Sequence, residues 1–182
     1  MVISSRYGDG GLHYDVTSKV VTTTRIFEFA CAHNLQHHYG KCRFFHGHNY
    51  KMHVTVAPPL NSTPNTDKSQ LGMVTDFGNL KKVVNEIIID KYDHSLMVWS
   101  DDPSLEGCKL IKDIKNLIFD SSDHDLDRSN IHIVPYRPTA ENMVVHFFDM
   151  LEAPLKDRLN VKLVSIRIYE TDNSYAECIH RS

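Results

Sequence analysis

An α+β fold, with helices packed on one face of an antiparallel sheet, is what this chain of 182 residues predicts. Strand-like alternation of apolar residues occurs twice near the N-terminal end and twice near the C-terminal end. Between these pairs lie three stretches whose apolar residues recur at helical spacing. No internal repeat interrupts that order, and strands grouped at both ends with helices between them favour segregated layers over alternating βαβ units.

Taken in order, residues 1–22 are polar and Gly-containing and read as an extension preceding a single domain over 23–182. Phe27, Phe29 and Cys31 alternate with Glu28 and Ala30, and Tyr50, Met52, Val54 and Val56 alternate with Lys51, His53 and Thr55, so each set reads as a strand. Pro58-Pro59 stops the second strand. The Ser-, Thr-, Asn- and Pro-rich segment to about Gln70 reads as an exposed connection. Leu80, Val83, Val84, Ile87 and Ile88 then follow helical spacing, with Asp76 as N-cap. A second helix is expected over 103–118, with Asp102 and Pro103 as cap and first residue. Asp120 to Asn130 reads as a loop and Ile131–Val134 as a short strand. Pro138 and Thr139 open a third helix that turns Ala140, Met143, Val144, Phe147, Phe148 and Leu151 to one side. Val161 to Tyr169 alternates again, and Tyr175 to Ile179 is placed to pair with it.

Composition narrows the function. A hydrophobic content of 41% and a charged content of 24% are ordinary for a globular protein. The formal net charge of −3 argues against a generic nucleic-acid partner. No apolar run approaches the ~20 residues that span a bilayer, and the N-terminus lacks the apolar segment of a signal peptide. Cys31, Cys42, Cys108 and Cys178 form no CxxC pair, so a cytoplasmic, reducing setting is expected over a disulfide framework. The sequon Asn61-Ser62-Thr63 accordingly reads as loop composition.

Twelve histidines are unusual, and several cluster. His46-Gly47-His48 leads into the second strand, where alternate side chains share a face with Cα atoms ~6.6 Å apart. Two imidazoles at that spacing can converge on one ion. His33 follows the first strand in the parity of Phe27, Phe29 and Cys31, so pairing of the two strands would bring all three together. Three histidines leave a fourth position for water or substrate, as in catalytic zinc sites. Taken alone a His-x-His pair arises often by chance; the third histidine at matching parity favours metal. His37, His38, His124, His132 and His180 lack such geometry and are expected in solvent.

Cys42 lies four residues before His46, where neighbouring imidazoles and a bound zinc would lower the thiol pKa. Asp93-His94, just past the first long helix, suits either proton relay or a helix end where histidine favours the dipole. Glu170 lies in the parity of Val164, Ile166 and Ile168, an apolar face on which a carboxylate needs a partner, either a ligand or a structural ion pair.

Six motifs in order, Phe29-Ala-Cys-Ala-His33, Cys42-Arg-Phe-Phe-His46-Gly-His48-Asn-Tyr50, Gly72-Met-Val-Thr-Asp76-Phe77, Asp93-His94, Pro138-Thr-Ala-Glu141-Asn142 and Tyr169-Glu170-Thr-Asp, resemble the 6-pyruvoyltetrahydropterin synthase/6-carboxytetrahydropterin synthase family across residues 25–172. The resemblance implies the tunnelling fold (T-fold) and a homo-oligomer, usually a hexamer, whose sheets join into barrels with sites at subunit interfaces. It implies Zn2+ held by His33, His46 and His48, catalysis by Cys42 with Asp93 and His94, and pterin binding by Glu170, Glu141 and Thr139. Three residues separate Cys42 from His46, which is similar to the bacterial 6-carboxytetrahydropterin synthases of queuosine and deazapurine biosynthesis. The pyruvoyl-forming enzymes typically have a longer gap. The implied reaction is that of a lyase converting 7,8-dihydroneopterin triphosphate to 6-carboxy-5,6,7,8-tetrahydropterin, acetaldehyde and triphosphate.

Residues 1–22, the connection at 58–70 and an insertion near 98–130 exceed a minimal family member. Two alternatives stand beside this reading: a 6-pyruvoyltetrahydropterin synthase, and a non-catalytic zinc- or purine-binding domain, which would have no need of the Cys42 thiol. Lys41, Arg43 and Lys51 are candidates for the triphosphate and equally for solvated surface charges.

Overall fold

The computed structural model describes residues 21–59, 68–102 and 130–180. The helix expected over 103–118, the loop from 120, most of the N-terminal extension and the middle of the 58–70 connection lie outside these. The elements are β1 (Thr23–His33), β2 (His46–Ala57), α1 (Phe77–Val84), α2 (Asp90–Tyr92), β3 (Ser95–Trp99), β4 (Ile131–Val134), α3 (Ala140–Leu159), β5 (Lys162–Thr171) and β6 (Ser174–Ile179). They form a six-stranded sheet of order β4-β3-β1-β2-β5-β6, with helices on one face.

The expected antiparallel sheet is present as β1, β2, β5 and β6. β3 and β4 extend it in parallel beyond β1, so the whole sheet is mixed. β3 shows no alternation: Leu96, Met97, Val98 and Trp99 form a continuous apolar run of the kind parallel strands show, with Met97 and Val98 buried. In β5 a register shift opposite Thr55 and Val56 inserts Val164 as an extra residue. Leu163 thereby enters the core in place of Val164, correcting the expected parity; Ile166 and Ile168 keep theirs.

Asp76 caps α1 by accepting the Asn79 N–H at 3.0 Å. The helix continues through a π-helical segment, Asn85–Ile89, into α2. Thr139 caps α3, accepting the Asn142 N–H at 3.3 Å. The apolar side of α3, with Phe147 and Leu151 fully buried, packs on Phe29, Tyr50, Met52 and Ile168. Phe29 stacks on Tyr50 at 5.1 Å and meets Phe147 edge-on at 5.9 Å. Asp102, expected as a helix cap, is buried and accepts a hydrogen bond from Asn34 Nδ2 at 3.2 Å. Among the described residues no helix is long and apolar enough to cross a membrane.

Candidate active site

Register and parity assemble the three histidines. Pairing of β1 with β2 sets His33 opposite His46 and Cys31 opposite His48. The face that is apolar through Phe29, Tyr50 and Met52 therefore ends in imidazoles. One donor atom from each of His33, His46 and His48 lies within 4.8 Å of the other two.

The surroundings prepare these rings as ligands. His33 donates its Nδ1–H to the Pro138 carbonyl at 2.6 Å, and His46 donates its own to Phe44 O at 2.8 Å. Carbonyls only accept, so both Nε2 atoms keep their lone pairs. Those atoms face each other at 3.2 Å, close to the ~3.3 Å that separates two nitrogens bound at 2.0–2.1 Å to a tetrahedral ion. Two lone pairs that close repel unless a cation lies between them. Burial holds the His33 imidazole below its usual pKa, favouring the neutral, ligating form. His48 Nε2 is buried without a hydrogen-bond partner, an orphan that a metal ion would satisfy. The cluster can hold a metal.

Glu170 Oε1 stands 3.5 Å from both His33 Nε2 and His48 Nε2. Its carboxylate thus faces the cluster, at 31% exposure and open to a ligand. The Tyr50 hydroxyl lies 3.5 Å from either ring nitrogen of His33. Burial, helped by the Glu170 carboxylate, pushes that phenol far above its usual pKa and keeps it protonated.

Cys42 occupies a one-turn 3-10 helix, Lys41–Arg43, between β1 and β2. Its thiol is half-buried, and its carbonyl accepts the Leu35 N–H at 2.8 Å. Asp93 and His94 lie against β1 at Ala30, whose carbonyl accepts the His94 N–H at 2.7 Å. Asp93 accepts the Ala30 N–H at 2.7 Å and pairs with His94 Nδ1 at 2.9 Å. Burial raises its pKa, but the Ala30 N–H and His94 outweigh that and hold the carboxyl below the usual range. His94 is 83% exposed and sits in the left-handed region at φ 56°, a conformation uncommon outside glycine. Among the described residues neither Asp93 nor His94 bonds to the three histidines.

Thr139 and Glu141 flank the start of α3, beside the Pro138 carbonyl; Glu141 is exposed. Lys41 and Arg43 are exposed beside Cys42, and Arg43 donates to Tyr39 O at 3.0 Å. Lys51 projects from the opposite sheet face, 3.8 Å from Asp172. His37 and His38 are exposed as expected. His132 is not simply solvated: its Nε2 meets Lys91 O at 2.7 Å and its ring packs on Tyr92. His180 pairs with Glu152 at 3.2 Å.

Sequence reasoning missed Pro138 and Tyr50 as parts of the site. Pro138 acts through a backbone carbonyl, which no side-chain pattern reveals. Tyr50 shares the parity of the core stripe and looked like core alone.

A profile of the 6-pyruvoyl tetrahydropterin synthase family matches residues 22–181. The 6-carboxy-5,6,7,8-tetrahydropterin synthase of Rickettsia typhi is 31% identical over 158 residues, covering 87% of this chain and 99% of the relative. That of Haemophilus influenzae is 30% identical over 155 residues, covering 85% and 95%. A solved structure of an uncharacterized protein from Wolinella succinogenes aligns with a TM-score of 0.66 at 20% identity, covering 90% of this chain and all of that one. Plasmodium falciparum 6-pyruvoyl tetrahydropterin synthase aligns at 0.59 with 18% identity, covering 91% and 100%. The fold and the cluster define a T-fold protein with a three-histidine site able to hold a metal. The chain belongs to the 6-pyruvoyl tetrahydropterin synthase family.

Proposed function

We propose that this chain is a lyase, a zinc-dependent 6-carboxytetrahydropterin synthase, acting on 7,8-dihydroneopterin triphosphate in queuosine or 7-deazapurine biosynthesis. With uptake of water, the products are 6-carboxy-5,6,7,8-tetrahydropterin, acetaldehyde and triphosphate. The observation that carries this reading is the convergence of His33, His46 and His48, in a chain whose relatives bear the 6-carboxytetrahydropterin synthase name. Borderline-soft zinc suits an all-imidazole donor set.

Bound there, zinc would supply Lewis acidity toward substrate oxygens. The residues of the chain do the rest. Cys42, on its turn between the two histidine-bearing strands, moves a proton at the side-chain carbon. Asp93 fixes the tautomer and orientation of His94 through their 2.9 Å contact, and His94 relays a proton to or from solvent. Glu170 accepts two N–H bonds from the pterin's guanidine-like edge, and Glu141 and Thr139 complete the pocket at the start of α3. Glu170 Oε1 stands 3.5 Å from His33 and His48, so the pterin edge would bind beside the metal.

In this reading the protein is a homo-oligomer, a hexamer by resemblance, with sites between subunits. Two features support it: among the described residues Asp93 and His94 make no bond to the three histidines while His94 is 83% exposed, and Phe44 and Phe45, beside Cys42, are 59% and 51% exposed. A neighbour's Asp93-His94 would then meet this chain's Cys42. The free thiols Cys31, Cys42 and Cys178 suit a cytoplasmic setting.

The test is product analysis. Zinc-loaded protein incubated with 7,8-dihydroneopterin triphosphate should release acetaldehyde and 6-carboxytetrahydropterin in equal amounts. Triphosphate release with a 6-pyruvoyl product and no acetaldehyde would assign the chain to the other activity. No turnover by a folded, zinc-loaded oligomer would leave it a binding protein.

A further inference from the structure

His33 owes its orientation to a carbonyl 105 positions away in sequence, that of Pro138, at 2.6 Å. What holds that carbonyl is a small network at the start of α3. The Thr139 N–H bonds back to Arg137 O at 2.8 Å. An N–H returning to the carbonyl two residues earlier closes a γ-turn centred on Pro138. Proline, with its fixed φ, suits that central position. The turn frees the Pro138 carbonyl from the helix and points it at His33.

A γ-turn closed by one hydrogen bond is a weak device, and here it is reinforced. Asn142 donates its side-chain Nδ2–H to the same Arg137 carbonyl at 2.9 Å. Arg137 in turn donates from Nη2 to Gln36 O at 2.7 Å. Gln36 lies in the loop between His33 and Cys42, where Leu35 N–H bonds to Cys42 O at 2.8 Å. Among the described residues no carboxylate pairs with Arg137, and its Nε is buried without a partner. A buried donor left unmet costs stability, so this arginine is not explained as a stabilising ion pair. Its visible work is the tether to Gln36.

We propose that Asn142 and Arg137 are positioning residues of the metal centre. They brace the γ-turn at Pro138, which fixes the tautomer and ring plane of His33, and Arg137 ties that turn to the loop carrying Cys42. This rests on the metal reading of the three histidines, and the test separates the two.

Asn142 is the residue to change, because it is exposed and stands in the first turn of α3. Asn142→Asp keeps the shape and places an acid where a helix N-terminus favours one, yet a carboxylate cannot donate to Arg137 O. Asn142→Ala removes the donor without adding charge. Zinc affinity would be measured on the full chain by competition with a chromogenic chelator, beside His48→Ala as control. Thermal unfolding of the metal-free forms would be recorded in parallel. Both Asn142 variants should bind zinc about 10–100-fold more weakly, the usual effect of losing support behind a ligand. Their cobalt-substituted forms should show altered d–d absorption, and the metal-free Asn142→Asp protein should unfold at the wild-type temperature. Wild-type zinc affinity in both variants, with zinc lost in His48→Ala, would overturn the positioning role and leave the metal centre standing. Loss of affinity that tracks an equal loss of metal-free stability in both variants would also overturn it, making Asn142 a structural residue. Full zinc binding by His48→Ala would instead sink the metal reading beneath it.

Discussion

His48 and His146 show what separates a ligand imidazole from a core imidazole. His146 Nε2 shares a hydrogen bond with the Tyr92 hydroxyl at 3.1 Å, whereas His48 Nε2 is buried with no such bond. At Cys42 the chain offers a thiol on a turn between the histidine-bearing strands, so Cys42→Ala should keep zinc and fold while turnover falls ~10²–10⁴-fold. Zinc loss in that variant would make Cys42 a ligand. Glu170→Gln keeps size but replaces an acceptor with a donor. It should retain zinc and weaken pterin binding by ~1.5–3 kcal/mol in a titration with a pterin analogue. Unchanged pterin affinity with zinc lost would show that the carboxylate serves the histidines. The histidines and Glu170 were legible in the sequence because strand parity alone carries them to one face. Pro138 and Asn142 were not, since a carbonyl and a γ-turn leave no periodic trace.

Among the elements, the two caps and the apolar side of α3 follow directly from the order of residues. Asp76 and Thr139 each accept the N–H three residues on. Phe147 is fully buried against Phe29 and Tyr92, and Phe147→Ala should cost ~3–5 kcal/mol in denaturant unfolding. β3 was illegible because its apolar residues run continuously from Leu96 to Trp99 and do not alternate with polar ones. The Val164 bulge was illegible because register depends on β2, not on β5 itself. His146, on α3, gives this element a pH signature. Burial, with Lys91 adding to it and Asp149 opposing, holds its pKa below the ordinary value. The unfolded chain therefore binds the proton first, so this contribution is present above about pH 6.5 and is lost as pH falls below it. His146→Gln should flatten the acid side of the stability profile relative to wild type, and an unchanged slope would assign the loss to other groups.

At the scale of the whole molecule, the Asp93-His94 pair makes no bond to the three histidines among the described residues, and the proposed oligomer brings a neighbour's pair to them. Mixing Cys42→Ala with His94→Ala chains and reassembling them tests this. Random assembly should restore about a quarter of wild-type turnover if each site draws on two subunits. A mixture as inactive as its parents would confine the pair to its own chain. Six motifs implied the T-fold through their resemblance to the family, and the solved relatives share it. The parallel addition of β3 and β4 depends on contacts between distant segments that periodicity does not encode. The three histidines carry the proposed chemistry, and metal analysis of purified protein tests them most directly. Wild-type chains should carry about one zinc ion each and His48→Ala chains almost none; full zinc occupancy in His48→Ala would contradict the metal centre.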